Sequence, residues 1–183
     1  IRDPDGFIDG WILSKMDPIT PAIGYRVAVD PPSAMDESST YTFEIAQCDE
    51  RFVILLCLYS GTEDPPQHAL VCHNASTGAR IWECDLDPDL FPYYALGGVG
   101  RSGVVVGTMD EYYLPVTGTR VDAGNEILTV AAIDLSDGSI AQITDAFSYA
   151  NAQISSGANP EYLSQRTFSA MSGDSVTCFQ RKQ

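Results

Sequence analysis

One hairpin design is written twice in this chain, and little other than a β-sheet can accommodate it. The residues Cys72-His73-Asn74-Ala75-Ser76-Thr77-Gly78-Ala79-Arg80-Ile81-Trp82 are matched, sixty positions later, by Ala132-Ile133-Asp134-Leu135-Ser136-Asp137-Gly138-Ser139-Ile140-Ala141-Gln142. Each copy sets a small polar cluster and a glycine between two apolar runs. A polar, glycine-containing turn between such runs marks two adjacent antiparallel strands. Recurrence at a period near 60 residues predicts stacked sheets built from one hairpin unit.

The rest of the chain follows the same grammar. Residues 52–59 and Val104-Val105-Val106 are strand-length apolar runs, one before each hairpin. Residues 25–29 alternate as a half-buried strand, 41–46 read as a strand, and 167–171 and 175–179 close the chain as strands. Residues 1–10, 30–40 and 60–67 are turn or loop by their Pro, Gly, Ser and Asp content. Residues 109–125 read as an insertion-like loop, and 146–162 as a polar segment with room for one helical turn. No segment carries a sustained helical stripe. The expectation is one all-β domain over residues 1–183, read as a module or segment of something longer.

Composition excludes several classes of partner. The net charge is −15 and the isoelectric point about 4.2. Such a surface repels phosphate backbones and anionic lipid, so neither nucleic acid nor a membrane surface is an expected partner. No apolar run approaches the roughly 20 residues that span a bilayer as a helix, so this segment is not expected to insert. The five cysteines are Cys48, Cys57, Cys72, Cys84 and Cys178, and none forms a Cys-x-x-Cys pair. Cys72 and Cys84 flank the Thr77-Gly78 turn, so a disulfide between them would fit an exported protein. Cys57 and Cys72 as neighbours on adjacent strands, or small buried hydrophobes with free thiols, are the other readings.

The hairpin at residues 69–82 resembles the repeat of the quinoprotein-like (PQQ-repeat) β-propellers. In that repeat an apolar-x-Ala-x-Asp strand leads to a Thr-Gly or Asp-Gly turn, and a Trp follows on the outer strand. Here Cys72 stands at the small-residue position, Asn74 at the Asp, Thr77-Gly78 at the turn and Trp82 at the tryptophan. The second copy keeps Ala132, Asp134 and Asp137-Gly138, and has Gln142 in place of the Trp. The resemblance spans residues 52–143. It implies propeller-like blades of antiparallel strands, in a partial or small propeller, with a β-sandwich as the alternative. The calcium, base and adjacent cysteines of the quinone-dependent enzymes have no motif-matched counterpart here, so no quinone cofactor is carried over.

Candidate sites are few. Asp85, Asp87 and Asp89 alternate as calcium-loop ligands do, but Leu90 and Leu96 stand where such a loop needs Gly and a closing Glu. Asp3, Asp5 and Asp9, with the Asp5-Gly6 pair, match the middle of such a loop better, but Ile1 and Ile12 stand at its first and twelfth positions. Solvated acidic turns are the plain reading of both, and calcium is the only ion either suggests. Tyr93, Tyr94, Tyr112 and Tyr113 lie beside acids in loops, where aromatics form contact surfaces for protein or carbohydrate, or pack down as anchors. Leu114-Pro115-Val116-Thr117-Gly118 spells a sortase-type motif without the apolar and basic tail such a signal needs. Asn74-Ala75-Ser76 is a formal glycosylation sequon, and the turn explains it as well. His68 and His73 are the only histidines, and alternation on a strand keeps Cys72 and His73 from facing one metal.

These features predict no catalytic residue. They point to an extracytoplasmic (secreted or surface-anchored), non-catalytic propeller-type module. It would bind a protein or carbohydrate through its loops, or join further blades of the same chain. The alternative is a fragment of a quinoprotein or glycan-processing propeller enzyme whose active residues lie outside this chain.

Overall fold

The apolar run 52–59 becomes an interior strand of one four-stranded sheet, and Val104–Val106 the edge strand of a second. The computed structural model describes residues 10–180 except 18, 21, 37, 63–64, 97–98, 103, 123–124, 151–159, 165–166 and 173–174. Within these it gives backbone alone for 93–102, 119–128, 142, 144–150 and 160–180. Among the described residues there is no helix, and the strands pair antiparallel. The chain forms two compact units, residues 1–64 with 69–85, and residues 65–68 with 86–183.

In the first unit, β1 (Trp11–Met16) pairs with β2 (Ile23–Val29). Strands β3 (Thr40–Cys48), β4 (Phe52–Ser60), β5 (Gln67–Asn74) and β6 (Arg80–Leu86) lie side by side in chain order. Pairing sets Tyr41 opposite Tyr59, Phe43 opposite Cys57 and Ile45 opposite Leu55, which places these side chains on one face of the sheet. Leu13 and Val29 of the β1–β2 hairpin join that face in a single buried cluster with Phe43, Val53, Leu55, Cys57 and Val71. Trp11 meets Phe43 edge-on at 6.1 Å, a geometry worth about 1 kcal/mol beyond area burial. Strands β4 and β5 are buried on both faces, Ile54 and Leu70 completely, which is why their sequences run apolar instead of alternating.

In the second unit, β7 (Tyr93–Leu96) pairs with β8 (Val99–Ser102). Strands β9 (Val104–Val106), β10 (Tyr113–Asp122), β11 (Asn125–Asp134) and β12 (Ile140–Ala150) again lie in chain order. A three-stranded sheet, β13 (Pro160–Ser164), β14 (Thr167–Ser172) and β15 (Ser175–Gln180), follows.

Two expectations are corrected. Residues 109–125 are no insertion: most of them form β10, which pairs with β9 and β11 together. Pro115 fits because its carbonyl accepts the Gly107 N–H at 2.8 Å, and a proline lacks only the donor. The sortase-like motif therefore lies inside a strand, with Leu114 and Val116 wholly buried. The polar stretch from 146 onward begins as strand, since β12 runs on to Ala150.

Candidate functional site

Polar side chains gather at the turn ends of the two four-stranded sheets, and there the two sheets share most of their turn bonds. In the β5–β6 turn the Asn74 N–H donates to the Ala79 carbonyl at 2.8 Å, and the Gly78 N–H returns to the Asn74 carbonyl at 2.8 Å. Asn74 Oδ1 accepts the N–H groups of Ser76 and Thr77 at 2.9 and 3.0 Å. In the β11–β12 turn Asp134 N–H donates to Ser139, Gly138 N–H to Asp134, and Ser136 N–H to Asp134 Oδ1, each at 2.8 Å. Gly78 and Gly138 have φ of 75° and 77°, the left-handed region that glycine enters without steric cost.

A second anchor stands beside each of these turns. At the β3–β4 corner Asp49 Oδ1 accepts the N–H groups of Arg51 and Phe52 at 2.7 and 2.8 Å. At the β9–β10 corner Asp110 Oδ1 accepts those of Tyr112 and Tyr113, both at 2.7 Å. The two turns of each sheet are then tied together. Ala75 N–H donates to the Arg51 carbonyl at 2.9 Å, and Leu135 N–H to the Tyr112 carbonyl at 2.8 Å. The signal for this anchor is in the sequence: Asp49-Glu50-Arg51-Phe52 and Asp110-Glu111-Tyr112-Tyr113 are spaced like the hairpin copies. Reading the hairpins alone missed it.

These carboxylates are occupied in holding backbone. Burial works to raise the Asp49 pKa, but the Phe52 and Arg51 N–H groups and the Arg51 guanidinium, paired at 2.9 Å, hold it below the usual value. The Ser139 hydroxyl and N–H lower Asp137 in the same way. Asp85, Asp87 and Asp89 are exposed and separately engaged. Asp85 faces the Tyr59 phenol, and Asp87 Oδ1 takes the Asp89 N–H at 2.9 Å. Among the described residues no group of three or more His, Cys, Asp or Glu converges on a metal-sized site. Asp3, Asp5 and Asp9 lie outside the described residues.

Tyr112 is 51% exposed, beside Glu111 on the second corner, and Tyr113 is half-buried. The backbones of Tyr93 and Tyr94 lie in β7 opposite Ser102 and Arg101, and their side chains lie outside what the structure describes. Cys72 and Cys84 are buried with free thiols. The closing pair of the turn is Asn74 with Ala79, not a centre at Gly78. Cys72 thus lies two residues from that pair and Cys84 five, so the two are not level across the hairpin. Burial, then a nearby carboxylate, pushes Cys57 and Cys72 up to about 12 and Cys84 up to about 11. At neutral pH such thiols stay protonated and are poor nucleophiles.

Both histidines are buried. His73 Nδ1 donates to the Gly78 carbonyl at 2.8 Å, since a carbonyl only accepts. Burial lowers the His68 pKa, against the opposing effect of a bond to the Phe91 backbone. The unfolded chain therefore takes up this proton first. Stability is full above the ordinary value of 6.5 and declines as pH falls from there toward the folded pKa. The lowered carboxylates titrate only below about 4. A Tm profile from pH 7.5 to 5 is thus expected to slope downward for the native chain and to flatten in His68→Gln. An unchanged slope in the variant excludes this assignment.

No protein-family model matches the chain, and no curated protein matches it.

Proposed function

We propose that this chain is a non-catalytic, extracytoplasmic module built from successive propeller-type blades, which binds a protein or carbohydrate through the loops at its turn ends. The observation that carries this reading is the repetition of both anchors, Asn74 with Asp49 and Asp134 with Asp110, on two four-stranded sheets of the same strand order. That repetition is what blades of one design require. It also agrees with the resemblance of residues 52–143 to the PQQ-repeat propellers.

The non-catalytic half of the proposal rests on how the polar groups are used. Asp49 and Asp110 accept two backbone N–H groups each, Asp134 accepts the Ser136 N–H and hydroxyl, and the described buried thiols are held protonated. What the corners present outward is an aromatic ring beside acids: Tyr112 with Glu111 and Asp110. Rings in such settings give large contact area at low entropic cost.

The test is binding of the purified chain to immobilised glycans and to basic protein ligands, with turnover measured in parallel. Binding without turnover is expected. Tyr112→Ala is expected to weaken it at least about tenfold, the loss of one central aromatic contact, with an unchanged Tm. Turnover of a glycan, or quinone-dependent reduction of a dye, would replace this reading with an enzyme fragment.

A further inference from the structure

The β1–β2 hairpin shares the closing bond and the side-chain capping bonds of the repeat turns, though not the bond that the glycine N–H makes there. Asp17 N–H donates to the Ala22 carbonyl at 3.0 Å, the same five-residue step as Asn74 to Ala79 and Asp134 to Ser139. Asp17 Oδ1 accepts the Ile19 and Thr20 N–H groups at 2.8 and 3.2 Å, as Asn74 accepts those of Ser76 and Thr77. Asp17 precedes Asn74 by 57 positions, close to the 60 between Asn74 and Asp134. The match hides from a search for Thr-Gly or Asp-Gly because Pro21 stands at the glycine position. Pro18 stands where Ala75 and Leu135 donate, and it has no N–H to tie a neighbouring corner.

If Asp17 matches Asn74, β1 matches β5 and β11. Those are interior strands, flanked on their second side by β4 and β10, whereas β1 has only β2 beside it among the described residues. The face it covers is also incompletely covered. Trp11 reaches Phe43, but Ile45, on the same face and opposite the buried Leu55, is left 66% exposed. The hairpin thus leaves open a position on this face that carries a large apolar side chain.

We infer that β1 and β2 are the third and fourth strands of a further copy of the repeat, and that the outer edge of β1 is a pairing surface for an antiparallel β-hairpin of the β3–β4 kind. The partner chemistry is polypeptide backbone: an extended strand hydrogen-bonded along β1, with apolar side chains turned toward Trp11 and Ile45. This holds whether or not the repeats close into a ring, so its failure and that of the functional reading are separate results.

Two chimeras test it. In the first, residues 1–9 are replaced by a second copy of residues 40–66, which brings a β3–β4 hairpin and its connection to Gly10, the position matching Gln67. Alternate amides of β1 are expected to exchange at least tenfold more slowly than in the native chain, while the same prefix with its strand residues scrambled leaves them unchanged. A folded chimera without that protection overturns the pairing edge. In the second, Asn-Ala-Ser-Thr-Gly-Ala from residues 74–79 replaces residues 17–22. Equivalent turns exchange with a Tm change under about 3 °C, and a fall beyond about 10 °C overturns the third copy even if the first chimera does not fold.

Discussion

Gly78→Val is expected to destabilise the chain by about 3–4 kcal/mol, from two separable causes. The φ of 75° costs a side-chain-bearing residue about 1–2 kcal/mol. A Cβ there would also stand 2.7 Å from Tyr25 Cδ2 and 2.9 Å from Val27 Cγ2, an overpacking of about 1–3 kcal/mol. Both clashing groups are side chains of β2, so the second cause can be relieved. Tyr25→Ala introduced into Gly78→Ala should recover part of the loss and leave the backbone cost. A urea-unfolding cycle over the two positions reads this directly. Full additivity would show that β2 does not press on the turn, and would remove the packing reason for glycine at this corner.

Why some of this was legible in the sequence and some was not follows from where each signal is stored. The β5–β6 and β11–β12 turns announce themselves because positive φ demands glycine and the capping bond demands Asn or Asp, both local needs. The Asp17 turn makes the same side-chain capping bonds with prolines around it, so its residues look unlike the others while its closing backbone bond agrees. The Asp49 and Asp110 corners recur at the same spacing, but their sequence, Asp-Glu followed by a strand, resembles any polar turn until the ties to Ala75 and Leu135 are seen. Residues 109–125 were misread because Pro115 and Gly118 are breakers by propensity, and β10 uses each for a reason supplied by tertiary neighbours. For Cys72 and Cys84 the spacing misleads: near-equal distance from the Thr77-Gly78 turn is not equal distance from the hydrogen-bonded pair Asn74 and Ala79 that sets the register. For the site, Tyr112 is exposed and Tyr113 half-buried, and the side chains of Tyr93 and Tyr94 lie outside what the structure describes.

Gly118 is the position where those tertiary neighbours weigh most. It lies in the middle of β10, opposite Val104 and Thr129. A Cβ there would meet the Leu90 carbonyl oxygen at 2.5 Å, Phe91 Cδ1 at 2.7 Å and Phe91 Cα at 3.0 Å. Two of those atoms are backbone. The Leu90–Phe91 turn is itself held by N–H bonds of 3.0 and 2.8 Å to the Asp87 carbonyl, and the Phe91 ring is fully buried. Gly118→Ala is therefore expected to cost about 3 kcal/mol, the upper end for overpacking. Unlike the corner glycine it should not be rescued by trimming a side chain, because Phe91→Leu leaves the carbonyl contact in place. The displaced turn carries the backbone group whose bond opposes the lowering of the His68 pKa, so losing that bond should steepen the variant's Tm profile between pH 7.5 and 5. Tolerance of alanine at 118 with an unaltered profile would mean that β10 does not seat the 87–91 turn as described.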